Sequence, residues 1–475
     1  MQTFTIQFEK VFRKLFPYSL SQNQEDCLNN WIYFLNNPSQ YKVFILKGYA
    51  GTGKTTFASN LVTSLKHFNK KSILLAPTGR AAKVFSSYSK TNAYTIHKKI
   101  YVHTRDLMDY SVMSLAKNKE NNTFFLVDEA SMIMSSTSNH LNQETERNVL
   151  LDLLNFVFSG KNNILLLLGD EGQLPPVGST TSPALNIEYL KQNFPKIDFT
   201  VSSLNQIIRQ NNTSQIVLNA HQIRNCLANQ WPKISFLEKD VHNITSLELQ
   251  DYLQNSFQEQ GVEECIILTK SNLRASIYNQ EIRKRILFYE EFLERNERIM
   301  VIKNSYFWVD EKSELGFIAN GDILTIKKLI KIEERYGFHF AHVIVSFDDY
   351  PEMDDLKLIV HLSTLTNKET QLSKEDNKKL FHEIELDYID EPIRKKRIEQ
   401  VFKDPFFNAL QVKYAYCITT HKAQGGQWNH VFIDHGKLDD EFLQSGFQRW
   451  LYTAITRAKK KVYLVNFDEK LLDSK

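Results

Sequence analysis

The chain has 475 residues; at about 150 residues per domain that is roughly three domains, more than one hydrophobic core usually holds. Hydrophobic residues make up 42% and charged residues 24%, the balance of an ordinary globular protein. With 58 Lys plus Arg against 55 Asp plus Glu, the net charge of +3 excludes a histone-like binder, but not a basic channel, because local fields follow the distribution of charge.

Only 16 glycines and 11 prolines leave little material for disordered linkers, so a compact chain is expected. The four cysteines, Cys27, Cys226, Cys265 and Cys417, lack the close pairs of a zinc site and the density of a disulfide framework. Buried free thiols in a reducing cytoplasm are expected. The opening MQTFTIQFEKVFRKLF mixes acids and bases where a secretory signal needs an apolar run. No stretch nears the ~20 apolar residues of a membrane span. A cytoplasmic location is expected.

Strands alternate with helices through the first half. Tyr41–Gly48 is a continuous apolar run ended by glycine, as expected of a strand buried on both faces, and TTFASNLVTSLKHF after it reads as a helix. Lys71–Gly79, Asn122–Ser131 and Asn163–Gly178 repeat the pattern, which predicts an α/β parallel sheet with ligands at the carboxyl ends of its strands. From about residue 262 it recurs in Glu264–Asn272, Lys413–Gly425, Asn429–Gly436 and Lys460–Phe467, a second α/β unit. Within that unit, about residues 310–405, short alternating runs such as GFIANGDILTIKKLI and AHVIVSFDD predict an inserted antiparallel β-domain. A charged helical return comes after them. The expected division is 1–260 and 261–475.

Gly48-Tyr-Ala-Gly-Thr-Gly-Lys54-Thr55 fits the phosphate-loop pattern between a predicted strand and helix. Its backbone N–H groups would cradle phosphate, Lys54 would reach the β- and γ-phosphates of ATP, and Thr55 would ligate Mg²⁺. Phe124–Ser131 delivers Asp128 and Glu129 at the tip of a buried strand, a metal carboxylate and a general base. Lys54, Thr55 and the strand–loop–helix context leave little room for a merely structural glycine turn, and an exposed acidic turn, open for the second string alone, loses its ground once the two strings are paired. Any P-loop ATPase or small-molecule kinase still fits here. Gln173, in GDEGQLPPVG, offers an amide to the γ-phosphate or the attacking water, with Pro175 and Pro176 stiffening the segment after it. Arg209 and Arg457 each read singly as surface ion pairs. Arg457 lies on the second unit and could enter a nucleotide site only across a cleft.

In order, Gly48–Thr55, Leu74–Phe85, Thr95–Ile100, Leu126–Ile133, GDEGQLPPVG, Leu204–Gln210, Ile418–Trp428 and Leu451–Lys459 resemble the motif set of superfamily 1 helicases. The likeness is to the RecD-like group, which includes the Dda-type phage helicases, and Leu20–Gln24 resembles its adenine-reading motif with Gln24 as reader. The resemblance implies two tandem RecA-like domains with ATP between them, single-stranded DNA across their top, and 5′→3′ movement. It assigns hydrolysis to Lys54, Thr55, Asp128, Glu129, Gln173, Arg209 and Arg457. It also places nucleotide contacts at Gly48, Ala50, Gly51, Thr52, Gly53, Thr56, Gln424 and Gly426. It further implies a β-hairpin pin at about 86–121, a barrel-like subdomain at about 310–405, and action as a monomer on strands and single-strand/duplex junctions. The long N-terminal extension of larger family members and a nuclease-like acid cluster are not in this sequence.

The DNA path has its own physical reading. Pro77, Thr78 and Arg80 sit where a strand gives way to a helix; Thr419, Thr420, His421, Lys422 and Gln424 occupy the equivalent turn of the second unit. Hydroxyls, N–H groups and cations of this kind bind backbone regardless of sequence, as a stepping motor requires. RNA stays open as a substrate, since sugars are told apart only where a 2′-hydroxyl is sensed. His97 is a candidate base contact or a structural hydrogen-bonder. Tyr94, Tyr101, Phe307 and Trp308 are stacking candidates for which core packing is the commoner fate, and Ile393–Arg397 is a basic run that suits a solvated helix face. A translocase that remodels protein–DNA complexes and unwinds little is the alternative within the same class.

Overall fold

The computed structural model describes residues 2–104, 112–135, 148–206, 214–226, 230–235, 239–310, 313, 315–350, 352–366, 371–437 and 446–473. The first unit carries β1 (Lys42–Gly48), β2 (Ser72–Ala76), β3 (Ala93–Thr95), β4 (Tyr101–Thr104), β5 (Val112–Leu115), β6 (Phe124–Val127), β7 (Ile164–Gly169) and β8 (Asp198–Leu204). Six of these form one parallel sheet in the order β3-β2-β6-β7-β1-β8. Its two faces bury separate cores, which is why the strand sequences are apolar without alternation. One core is aromatic: Phe8 and Phe12 sit four apart on the helix Gln2–Leu15, and Phe12 meets Phe57 of the helix Lys54–His67 at 5.0 Å between ring centroids. The helix behind the phosphate loop is thereby fixed to the amino terminus.

β4 and β5 pair as an antiparallel hairpin. It is narrower than the expected 86–121, because residues before Tyr101 complete the helix Gly79–Ser89, β3 and a short helix at Ile96–Ile100. The pin's tip lies outside the described residues.

The second sheet, in the order β16-β10-β17-β18-β9, is also parallel. It comprises β9 (Val241–Ile244), β10 (Cys265–Thr269), β16 (Cys417–Thr419), β17 (Trp428–Asp434) and β18 (Ala458–Val465). β9 corrects the expected boundary at residue 261. It joins the sheet's edge, and Ile216, Ala220, Ile223 and Ile234 already pack in the second unit's core. Four residues with two polar side chains carry too weak a pattern to announce a strand.

Between β10 and β16 the chain builds a closed barrel from β11 (Arg298–Val301), β12 (Ile323–Arg335), β13 (Phe338–Phe347), β14 (Leu356–His361) and β15 (Leu410–Tyr414). The barrel therefore begins before residue 310 and closes after residue 405. The helices Lys374–Asp387 and Arg394–Lys403 lie between its last two strands, and Leu380, Ile384 and Val401 cover one end of it. Among the described residues no helix is long and apolar enough to cross a membrane. Of the cysteines, Cys27, Cys265 and Cys417 are buried as expected, and Cys226 is half-buried.

The barrel is tied to its host by a buried ion pair. Glu297, fully buried before β11, accepts from Arg283 Nε at 3.0 and 3.1 Å and from the Tyr416 hydroxyl at 2.8 Å. Removing one partner strands the other charge in the interior. Arg283→Met is therefore expected to lower unfolding free energy by about 3–5 kcal/mol, read as the midpoint shift in urea denaturation followed by circular dichroism.

Candidate nucleotide site and interdomain cleft

Gly51 and Gly53 both adopt φ = +81°, the left-handed region, and Gly53 caps the helix that opens at Lys54. The loop closes on itself: the Thr52 hydroxyl donates to the Tyr49 carbonyl at 2.8 Å, and Lys54 Nζ rests 3.4 Å from the Gly48 carbonyl. N–H groups of the first helical turn are thereby aimed outward at a site for anions.

Asp128 and Glu129 come directly after β6. Glu129 holds φ = +51°, unusual for a residue with a side chain, and its N–H donates to Asp128 Oδ1 at 2.8 Å. Burial pushes the Asp128 carboxyl up to about 6, with Lys54 pulling it down and Glu129 pushing it further up. Glu129 Oε2 and Gln173 Oε1 are buried with no hydrogen-bond partner among the described residues. Buried acceptors at such a spot suit a bound ligand or water. Asp170, after β7, is also buried and its pKa raised by burial, against the opposing charge of Lys54.

All of these groups except Gly48 and Thr52 face one cavity of about 700 Å³, with Gln24, Ala50, Gly51, Gly53, Thr55 and Thr56 in its wall. The opposite wall comes from the second unit: Gly425, Gln427, Thr456 and Arg457. Lys54 and Arg457 therefore do converge across the cleft. The Arg457 guanidinium is buried and set by three acceptors: Nε donates to the Thr453 carbonyl at 3.1 Å, Nη1 to the Gly426 carbonyl at 3.3 Å, and Nη2 to the Thr456 hydroxyl at 3.2 Å. Gln24 lines the cavity but its Oε1 is engaged, accepting the Ser21 N–H at 3.0 Å in a capping box. Arg209 lies outside the described residues.

Two expected nucleotide contacts are placed elsewhere. Gln424 is buried in the seam, where its Nε2 donates to the Leu174 carbonyl at 2.8 Å. Gly426 is turned toward Trp428 and Arg80, and its carbonyl serves Arg457. Their neighbours Gly425 and Gln427 line the cavity instead, a one-residue distinction that a motif string does not resolve. The seam holds further bonds that the sequence reading missed: the Leu174 N–H donates to Thr453 Oγ1 at 2.9 Å, and Arg449 Nη1 to the Thr180 carbonyl at 2.6 Å.

Of the expected DNA contacts, Pro77 and Thr78 are half-buried, and the Thr78 hydroxyl caps its own helix by accepting the Ala81 N–H at 3.2 Å. Arg80 is engaged by protein: its guanidinium lies 4.0 Å over the Trp428 ring, and Nε is 3.7 Å from Asp349 of the barrel. Thr419 and Thr420 are buried, Thr420 Oγ1 without a partner, while His421 and Lys422 are half-buried. Burial lowers the pKa of both His421 and Lys422, and burial with the Lys422 charge brings Lys413 down to about 8. His97 lies 5.5 Å from Tyr101, ring to ring, at the base of the hairpin. Tyr94 sits under Lys98. Trp308 packs at the barrel's edge with its Nε1 donating to the Asn408 carbonyl at 2.7 Å and Phe307 edge-on to it, a structural role. Within the basic run, Arg397 pairs with Glu385 of the neighbouring helix.

Among the described residues no three or more His, Cys, Asp or Glu side chains gather into a metal cage. Mg²⁺ keeps water and substrate phosphate as ligands beside one or two protein oxygens. The buried Asp128 carboxyl and the Thr55 hydroxyl fit such an ion, and the raised pKa of Asp128 is the penalty a cation would relieve.

Residues 34–179 match the AAA domain family, and residues 414–465 match the UvrD-like helicase C-terminal domain. The RecBCD enzyme subunit RecD of Buchnera aphidicola is 23% identical over 90% of this chain and 71% of its own length. The ATP-dependent RecD2 DNA helicase of Deinococcus radiodurans is 27% identical over 42% of this chain, which spans only 24% of that protein. A structure of the Bacteroides Pif1 helicase with ADP-AlF3 and single-stranded DNA is similar at 16% identity and TM-score 0.49, covering 96% of this chain and 95% of that one.

Because the folded pKa of Asp128 lies above its unfolded value, its stabilising contribution is complete below the usual aspartate range and is lost as pH rises through about 6. Asp128→Asn is expected to raise unfolding free energy by about 1–3 kcal/mol at pH 8, with the gain vanishing near pH 4, and to abolish ATP turnover. Urea denaturation at the two pH values and a phosphate-release assay check this.

Proposed function

We propose, for a chain that belongs to the superfamily 1 helicases of the RecD-like branch, that it moves 5′→3′ along single-stranded DNA and separates duplex, powered by ATP hydrolysis between its two RecA-like units. One observation carries the ATP-hydrolysing role: a cavity whose walls hold Lys54, Asp128, Glu129 and Gln173 on one side and Arg457 on the other. A phosphotransferase acting on small molecules would account for the phosphate loop but leaves Gln173, Arg457 and the string Thr420–Gly425 unexplained.

The mechanism rests on those positions. The phosphate loop and Lys54 hold the triphosphate, and Glu129 orients and deprotonates the attacking water. Mg²⁺, held by Thr55 and Asp128, would supply charge neutralisation. Gln173 reports the γ-phosphate to the seam, and Arg457 stabilises the charge that develops on the transferred group. Loss of the γ-phosphate removes the reason for closure. If the Thr78 side and the Thr420 side grip the strand in alternation, each cycle advances it, and each opened base-pair step costs about 1.4 kcal/mol.

Strand separation on 5′-tailed but not 3′-tailed duplexes is the expected outcome of a fluorescent unwinding assay with ATP; the reverse preference refutes the polarity. Translocation on bare single strand without separation of either duplex would favour the remodelling alternative. Lys54→Ala is expected to cut turnover by about 100-fold or more while leaving single-strand binding, measured by fluorescence anisotropy, within about threefold; retained hydrolysis would mean the site is misassigned.

A further inference from the structure

Tyr452 stands five residues before Arg457, on the helix Phe447–Ile455, and the hydrolytic chemistry above gives it no task. Its side chain is buried in the seam, 2% exposed, and its hydroxyl has two partners, both in the opposite unit. It donates to Asp170 Oδ2 at 2.7 Å and accepts the Ala50 N–H at 2.9 Å. Only a hydroxyl can do both, and the ring carries it across the cleft at a fixed reach.

Each partner is connected to the phosphate end of the cavity. Ala50 belongs to the phosphate loop, and its N–H is directed at the tyrosine. Asp170 faces the charge of Lys54, and its other oxygen accepts the Gly172 N–H at 2.8 Å, which fixes the turn that delivers Gln173. On the tyrosine's own side, the carbonyl of the next residue, Thr453, accepts both Arg457 Nε and the Thr456 hydroxyl. One hydroxyl thus bridges the loop that cradles phosphate, the acid beside Lys54 and the helix that positions the guanidinium.

We propose that Tyr452 is a positioning residue for ATP hydrolysis: its hydroxyl registers the phosphate loop and Asp170 against the helix whose end holds Arg457 through the Thr453 carbonyl, and so couples nucleotide state to the second unit's hold on DNA. This rests on the helicase reading. A plain docking bolt would behave differently, and the fold contains one for comparison. The bond from Arg449 Nη1 to the Thr180 carbonyl, at 2.6 Å, crosses the same seam without touching the phosphate loop, Asp170 or the turn that delivers Gln173.

The test uses the full chain, a 20-nucleotide oligodeoxythymidine and a slowly hydrolysed ATP analogue. Tyr452→Phe is expected to lower DNA-stimulated kcat about tenfold or more with the KM for ATP within about threefold. The ratio of oligonucleotide affinities with and without the analogue should fall toward one, with each variant's melting temperature recorded. Asp170→Asn should move the same ratio the same way, and the double variant should be no worse than the worse single. Arg449→Gln should keep the ratio near wild type. The proposal is overturned if Tyr452→Phe retains kcat and the affinity ratio within twofold, if Arg449→Gln matches it, or if the effects of Tyr452→Phe and Asp170→Asn multiply. Should Tyr452→Phe fail to fold, Asp170→Asn carries the test, and an unchanged affinity ratio refutes it. A wild-type protein whose turnover ignores the oligonucleotide defeats the helicase reading itself, a separate result.

Discussion

Three carboxyl groups, those of Asp128, Glu129 and Asp170, are packed at the ends of β6 and β7 around one ammonium, that of Lys54. Parallel strands force this arrangement, because their carboxyl ends collect on one edge of the sheet and β6 and β7 are neighbours there. The price is visible in the raised pKa values of Asp128 and Asp170, both set first by burial. Such a site is a poor way to stabilise a fold and a good way to receive phosphate with its cation. The fold accepts the strain by securing the site's support with apolar packing, from the phenylalanines of the first helix to the two cores flanking the sheet.

The second unit reaches the acids through few atoms. Tyr452, Thr453 and Gln424 bind the turn after β7 or the phosphate loop, and Arg457 lies just past the helix Phe447–Ile455 with its guanidinium fixed on two carbonyls and a hydroxyl. The barrel adds a third body at this junction. Its Asp349 and the second unit's Trp428 hold Arg80 between them, so three parts of the chain meet over the start of the helix Gly79–Ser89. A cation expected to meet DNA is in this arrangement shared by two protein partners.

What could be read from the sequence was the chemistry concentrated in contiguous strings. The phosphate loop, the paired acids and Arg457 were legible because each motif combines strand, turn and reactive side chain within a few residues, and they do share one cavity. Less legible was whatever depends on partners far away in sequence. Gln424 and Gly426 lie in a recognised string, yet which residue of that string turns to the cavity is set by the opposite domain. Tyr452 was in plain view beside Arg457, but its role depends on Ala50, 402 positions away. The edges of the units were misjudged for a related reason: β9 and β11 are four residues each and owe their strand state to neighbours that stabilise them.

The way the chain crosses between units has a further consequence. The last strand of the first sheet in sequence ends at Leu204 and the helix from Gln215 packs in the second unit's core, the barrel being an insertion within that unit. In sequence the two units are therefore joined by the ten positions 205–214, which include Arg209. An insertion there would change the length of the connection and the sequence setting of Arg209 together.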